Sequence, residues 1–317
     1  MAKLQKASLS DGYQVRLMMW TVPRSLSTVL AKCLTAVDKS KVFFELYVHA
    51  HWKDPKKDHD MFDTSEIGKK FAASQKSFTE KTGISAERDD FPSSFLSIKE
   101  LLEEAHDGKK FILCKDMAHA VTHRLGFLPK DYRHLFLIRH PLKVFPSWKK
   151  IFLQSVPDMS PDEFCLEDLP ENIFPKGYGY QEISELVDYV KKELDPNAII
   201  IDADDLLQDP KSILSAVFKD IGLPFDEKIL HWEAGDAVTH QWTIPQYFLQ
   251  GNQFGGYYQN ALDSTCFLNT RRLPDRSSIP PDLLRLVEVS VPYYEKMYNS
   301  RLSAKEESDT KRRSLHS

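Results

Sequence analysis

Arg24, Ser25, Ser27 and Thr28 crowd a guanidinium and three hydroxyls into one short segment, directly after an apolar run of Val15, Leu17, Met18, Met19 and Trp20. Beyond them, Val29, Leu30, Cys33, Leu34 and Val37 recur with helical spacing. The order is strand, loop, helix. Unpaired N–H groups and the positive dipole end of such a helix attract an oxyanion. Arg24 adds fixed charge and the hydroxyls add donors, so the segment reads as a phosphate-type site. The string Gly-x4-Gly-Lys-Ser/Thr of nucleotide-splitting loops is absent.

The elements that must hold this segment alternate. Five strands are expected near 15–20, 42–48, 111–115, 134–139 and 198–202. Helices are expected near 65–78, 97–106, 119–125, 141–152, 181–194, 210–221 and 281–298. Alternation predicts an α/β fold: a single-domain parallel sheet of about five strands flanked by helices. In such a sheet the chemistry gathers at the carboxyl edge. Glu45 on the second strand, Lys115 ending the third and Arg139 ending the fourth all fall there beside Arg24. Three cations at one edge call for a strongly anionic ligand. Residues 50–95 carry no core pattern and read as an insertion or lid. Residues 1–14 read as a flexible lead-in, 15–300 as the domain and 301–317 as a disordered tail.

The chain has 317 residues and a net charge of −4, which excludes a globally nucleic-acid-binding surface. Its four cysteines, Cys33, Cys114, Cys165 and Cys266, form no Cys-x2-Cys pair, and no metal site is read. No apolar leader or run of membrane-spanning length is visible, and none of the six asparagines begins an Asn-x-Ser/Thr acceptor. The expectation is a cytoplasmic protein with no membrane or nucleic-acid partner; its oligomeric state is not legible.

At this point the chain resembles the sulfotransferase family, which uses 3′-phosphoadenosine 5′-phosphosulfate (PAPS) on a P-loop-like fold. The resemblance rests on Arg24-Ser25-Leu26-Ser27-Thr28, on Leu135-Phe-Leu-Ile-Arg139 with Ser147 eight residues on (147 − 139 = 8), on Asp202 to Pro210, and on Ile221-Gly-Leu-Pro224. It implies that Arg24, Ser25, Ser27 and Thr28 hold the 5′-phosphosulfate and that Arg139 and Ser147 hold the 3′-phosphate. Two departures stand out. Leu26 occupies a position where most members have Gly, which implies a loop of modified shape. Met117 falls where many members have a catalytic His. The pairing of Arg24 with Glu45, 21 residues on (45 − 24 = 21), is similar instead to the tyrosylprotein sulfotransferase branch.

The resemblance therefore implies sulfuryl transfer from PAPS, without a metal, to a hydroxyl or amine of a small-molecule acceptor. Glu45 is the expected general base, Arg24 and Lys115 neutralise charge on the leaving nucleotide, and His119 is the rival base. Tyr47, His49, His51, Trp52 and His119 are expected to line the acceptor pocket, with the aromatic segments 50–95 and 240–270 shaping it. The alternatives are a nucleotide kinase-like phosphotransferase and a non-catalytic nucleotide-fold binding protein.

Overall fold

A computed structural model describes residues 14–53, 65–83, 91–156, 158–269 and 272–303. The expected lead-in and tail lie almost wholly outside the described residues. The elements are β1 (Val15–Thr21), α1 (Ser27–Thr35), β2 (Ser40–Phe44), α2 (Leu46–Trp52), α3 (Glu66–Thr82), α4 (Phe95–Glu103), β3 (Phe111–Met117), β4 (Arg133–Ile138), α5 (Pro141–Ser155), α6 (Tyr180–Glu193), β5 (Ile199–Asp202), α7 (Ala203–Gln208), α8 (Pro210–Asp220), β6 (Trp242–Thr243), α9 (Gln246–Gly255), α10 (Gln259–Leu262) and α11 (Pro281–Tyr298), with short 3-10 turns between some of them.

The sheet has six strands in the order β5-β4-β1-β3-β2-β6, and every pairing is parallel. β1, β3 and β4 are buried along almost their whole length, because helices cover both faces and leave no solvent side for alternation. After β1 the chain winds to one side through β2 and β3, then passes to the other side for β4 and β5. The reversal places the crevice of an open α/β sheet at the carboxyl end of β1, between β3 and β4.

The sheet confirms the expected α/β class and adds a strand. β6 has two residues, too few for any periodicity to reveal it. The stretch expected as one strand over 42–48 is corrected: β2 ends at Phe44, Glu45 turns left-handed (φ 57°), and α2 follows. The reason is tertiary. Asp116 on β3 accepts hydrogen bonds from the backbone N–H groups of Tyr47 (2.6 Å) and Val48 (3.1 Å), and so caps the first turn of α2 from the neighbouring strand. Aromatic and β-branched composition favours a strand there, and that contact overrides it. The helix expected from His119 to Leu125 is two 3-10 turns, Ala118–Val121 and Leu125–Phe127.

The sheet centre also holds a titratable switch of stability. The Trp20 indole donates to His134 Nδ1 at 3.0 Å, and burial holds that imidazole down to about 4. The unfolded chain takes up the proton near 6.5 and the fold resists it. This contribution is therefore intact above pH 6.5 and is lost as pH falls toward 4, to a total of about 3 kcal/mol. Urea unfolding at pH 7 and pH 4.5 should show that loss, and His134→Asn should flatten the difference.

Candidate active site

The loop between β1 and α1 leads into a helix N-terminus that has no side-chain cap. Leu26, the N-cap of α1, has φ 71° and ψ 16° and offers no side-chain cap to the first turn. The backbone thus keeps the left-handed turn that glycine adopts freely, at a cost of about 1–2 kcal/mol for leucine. Arg24 is left-handed as well (φ 64°). Arg24, Leu26 and Glu45 are three of the seven non-glycine residues with positive φ among the described residues, and all three line the same cavity. Backbone strain of this kind collects at functional sites.

That cavity, of about 450 Å³, lies at the carboxyl edge of the sheet and is bordered by Arg24, Ser27, Thr28, Glu45, Lys115, Arg139 and Ser147. Arg24 Nε donates to Ser147 Oγ at 3.2 Å, its NH1 donates to the Tyr257 carbonyl at 2.7 Å, and Arg139 NH1 donates to the Arg24 carbonyl at 3.2 Å. The two segments expected to bind different phosphates are therefore in direct contact. Burial and the neighbouring charge of Arg139 both push the Arg24 guanidinium below its ordinary value, and burial does the same to Arg139. Asp204 lies 3.8 Å from Arg139 Nε and only partly offsets this, because it is also paired with Lys143 at 2.9 Å. Two desolvated like charges beside an uncapped helix N-terminus form a site that a doubly charged anion would relieve.

Ser25 departs from its expected role. It is fully buried, and its hydroxyl donates to the Val22 carbonyl at 2.8 Å, which braces the loop from within. It does not border the cavity.

Glu45 and Lys115 form a buried ion pair, with side chains 3 % and 1 % exposed. The main chains are joined as well: the Glu45 N–H donates to the Lys115 carbonyl at 2.8 Å. The Lys115 ammonium sits 4.4 Å from the centre of the Phe44 ring. Tyr258, which sequence reasoning missed, donates its hydroxyl to the other Glu45 oxygen at 2.5 Å. Both carboxylate oxygens are thus engaged, one by Lys115 and one by Tyr258. Tyr258 is positioned in turn by its neighbours. Its N–H donates to Asn252 Oδ1 at 2.6 Å, and α10 just beyond it is tethered by Lys32. Lys32 is buried on α1 and donates to the carbonyls of Leu262 at 2.5 Å and Ser264 at 3.1 Å, as a cation at a helix C-terminus should. A single helix, α1, therefore carries the uncapped N-terminus at the cavity and anchors the wall that holds Glu45. Tyr258→Phe removes a hydrogen bond to a buried carboxylate worth about 1.5–3 kcal/mol, and calorimetry should show a melting temperature lower by about 2–6 °C.

The five expected acceptor residues divide. Trp52 and His119 border the cavity. Tyr47, His49 and His51 do not; all three stand on helix α2. On a helix His49 and His51 point about 200° apart instead of to one side. The Tyr47 hydroxyl donates to the Phe127 carbonyl at 2.7 Å, beneath the sheet edge. His51 packs edge-on against His119, with ring centres 5.6 Å apart. The aromatic segments do reach the cavity, through Phe71 on α3 and through Tyr247, Phe248, Tyr257 and Tyr258.

A parallel sheet with two partly buried arginines beside an uncapped helix N-terminus at its switch point defines an α/β protein with a basic crevice at the carboxyl edge. The family model described as a sulfotransferase domain matches residues 192–299, from the end of α6 to the end of α11, and includes the Asp202–Pro210 and Gly222-Leu-Pro224 motifs. Over those residues, about a third of the chain, the sequence is similar to the sulfotransferase family. Two proteins of Arabidopsis thaliana, branched-chain-amino-acid aminotransferase-like proteins 1 and 2, are 27 % and 29 % identical over 194 and 190 residues. Each alignment covers 59 % of this chain and 28 % of the relative, so the chain spans little more than a quarter of their length. Among solved structures, a sulfotransferase domain from the curacin biosynthetic pathway is 16 % identical with a TM-score of 0.45, covering 87 % of this chain and 96 % of that one. Retinol dehydratase in a complex with retinol and PAP is 13 % identical with a TM-score of 0.45, covering 89 % and 81 %. Nothing about the chemistry rests on likenesses this distant. Among the described residues no helix is long and apolar enough to cross a membrane.

Proposed function

We propose that the chain transfers a sulfuryl group from PAPS to a hydroxyl of a small-molecule acceptor. The observation that carries this reading is the pair of hydrogen bonds near the uncapped start of α1 that join Arg24 to Ser147 through its side chain and to Arg139 through its carbonyl. A nucleotide with phosphates on both sides of its ribose supplies two anions a short distance apart, which is what two buried guanidiniums need. PAPS, when bound, supplies the activated sulfuryl group and a phosphate leaving group.

The chain's own residues have separable tasks. Ser27, Thr28 and the first N–H groups of α1 would hold the 5′-phosphate, Arg139 and Ser147 the 3′-phosphate. Arg24, between them, would meet the charge that develops on the departing oxygen; one such donor typically contributes about 10²–10³ in rate. Glu45 would take the acceptor proton, with Lys115 and Tyr258 fixing its carboxylate in place. As in phosphoryl transfer, most of the work is positioning and charge stabilisation. Asp116 contributes at one remove, since capping α2 sets the turn in which Glu45 stands.

Calorimetry with 3′-phosphoadenosine 5′-phosphate (PAP) against AMP tests the reading. Preference for PAP supports it; equal binding, or none, removes it. A non-catalytic nucleotide-binding protein would bind PAP but give no sulfated product from PAPS with any acceptor.

A further inference from the structure

The hydroxyl that meets Glu45 belongs to the protein itself. One carboxylate oxygen is engaged by the Lys115 ammonium and the other by the Tyr258 hydroxyl at 2.5 Å. Tyr258 borders the same cavity as Arg24, Glu45 and Lys115. Arg24 reaches the same segment, since its NH1 donates to the Tyr257 carbonyl at 2.7 Å. A hydroxyl, a carboxylate bonded to it, a third group that orients the carboxylate and a nearby guanidinium are the parts of an activated nucleophile beside an anion site. Other tyrosines lack this combination. Tyr178 donates to Glu167 at 2.7 Å and Tyr294 to Asp202 at 3.0 Å, but neither pair borders the cavity. Tyr47 and Tyr180 donate to backbone carbonyls, and Tyr257 pairs with Ser155.

We propose that Tyr258 is itself a sulfuryl acceptor, which the protein converts to tyrosine O-sulfate when PAPS is supplied and no other acceptor is present. The inference goes beyond the sulfotransferase reading and rests on it. Burial, with the charge of Glu45, pushes the Tyr258 phenol well above its ordinary value, so the hydroxyl stays protonated at neutral pH and attacks only as its proton leaves. Glu45 takes that proton. The phenolic oxygen forms a bond to sulfur as the bond from sulfur to the 5′-phosphate oxygen of PAPS breaks, and PAP departs. The proton then passes from Glu45 to water, and no oxidant or reductant is needed. Asn252, which accepts the Tyr258 N–H at 2.6 Å, holds the residue in place. The product has no proton left to donate to Glu45, and its new negative charge faces the cations of the cavity.

The mass of the chain is the readout. The full chain is incubated with PAPS and no acceptor, its intact mass is measured, and its peptides are mapped under conditions that preserve sulfate esters. PAP binding is measured calorimetrically in parallel. The expected result is a gain of one SO3 unit, located on Tyr258 and not on Tyr178 or Tyr294. Tyr258→Phe should bind PAP and gain no mass. Glu45→Gln should bind PAP and gain it about 10²–10⁴-fold more slowly. A wild-type chain that binds PAP and gains no mass overturns the inference, as does a gain that maps to another residue. A gain at the wild-type rate in Glu45→Gln also overturns it, because the bond between Tyr258 and Glu45 would then be structural only. If Tyr258→Phe fails to bind PAP, the wild-type map still decides. Failure of the wild type to bind PAP overturns the sulfotransferase reading, and this inference with it.

Discussion

Glu45→Gln is expected to slow sulfuryl transfer by about 10²–10⁴-fold, the usual worth of a positioned base, while PAP binding stays within a few-fold of the wild type. The amide keeps the shape of the carboxylate, and its oxygen can still accept one bond from Lys115 or Tyr258. It cannot take a proton from an acceptor hydroxyl. The substitution also leaves the buried Lys115 ammonium without its counter-ion. Breaking a buried pair in this way typically costs about 3–5 kcal/mol, so a lower melting temperature should accompany the lost turnover. The double substitution Glu45→Gln with Lys115→Met removes the stranded charge. It should recover part of the stability and none of the rate. Single-turnover assays with PAPS held in excess distinguish loss of chemistry from loss of binding. A rate unchanged in Glu45→Gln would pass the role of base to His119, which also borders the cavity.

What the sequence disclosed and what it hid follow one physical division. Strand-end chemistry was legible because in a parallel sheet every carboxyl end meets at one edge, so Arg24, Glu45, Lys115 and Arg139 could be gathered without coordinates. The buried strands were legible because helices on both faces demand continuous apolar runs. Contacts between segments distant in sequence were not. Nothing near Tyr47 announces that Asp116, 69 residues on, caps its helix, so the aromatic and β-branched run over 42–48 reads as a strand. Tyr258 was hidden in the same way. Its aromatic, glycine-rich surroundings drew notice, but its partner Glu45 lies 213 residues earlier. Leu26 gave the opposite lesson. A residue that argued for an altered loop occupies the left-handed turn a glycine would, with the strain borne locally.

Arg139→Ala should separate the two phosphates of the nucleotide. Arg139 follows β4 at the crevice, and its NH1 donates to the Arg24 carbonyl, which fixes its head group against the β1–α1 loop. If it holds the 3′-phosphate, its removal should weaken PAP by about 10–10³-fold, the range for truncating one partner of a buried charged hydrogen bond. AMP, which lacks that phosphate, should lose little. Arg24→Ala gives the complementary pattern, because Arg24 stands in the loop that leads into α1 and should serve the 5′ side, so PAP and AMP should weaken together. Relief of the repulsion between the two guanidiniums favours the free protein in both variants. The free protein should therefore be no less stable in either variant than the contacts alone would suggest, even as affinity falls. Calorimetry of both nucleotides on the wild type and the two variants measures the whole pattern. Equal losses of PAP and AMP in Arg139→Ala would show that this arginine does not read the 3′-phosphate, and would leave the crevice as a general anion site.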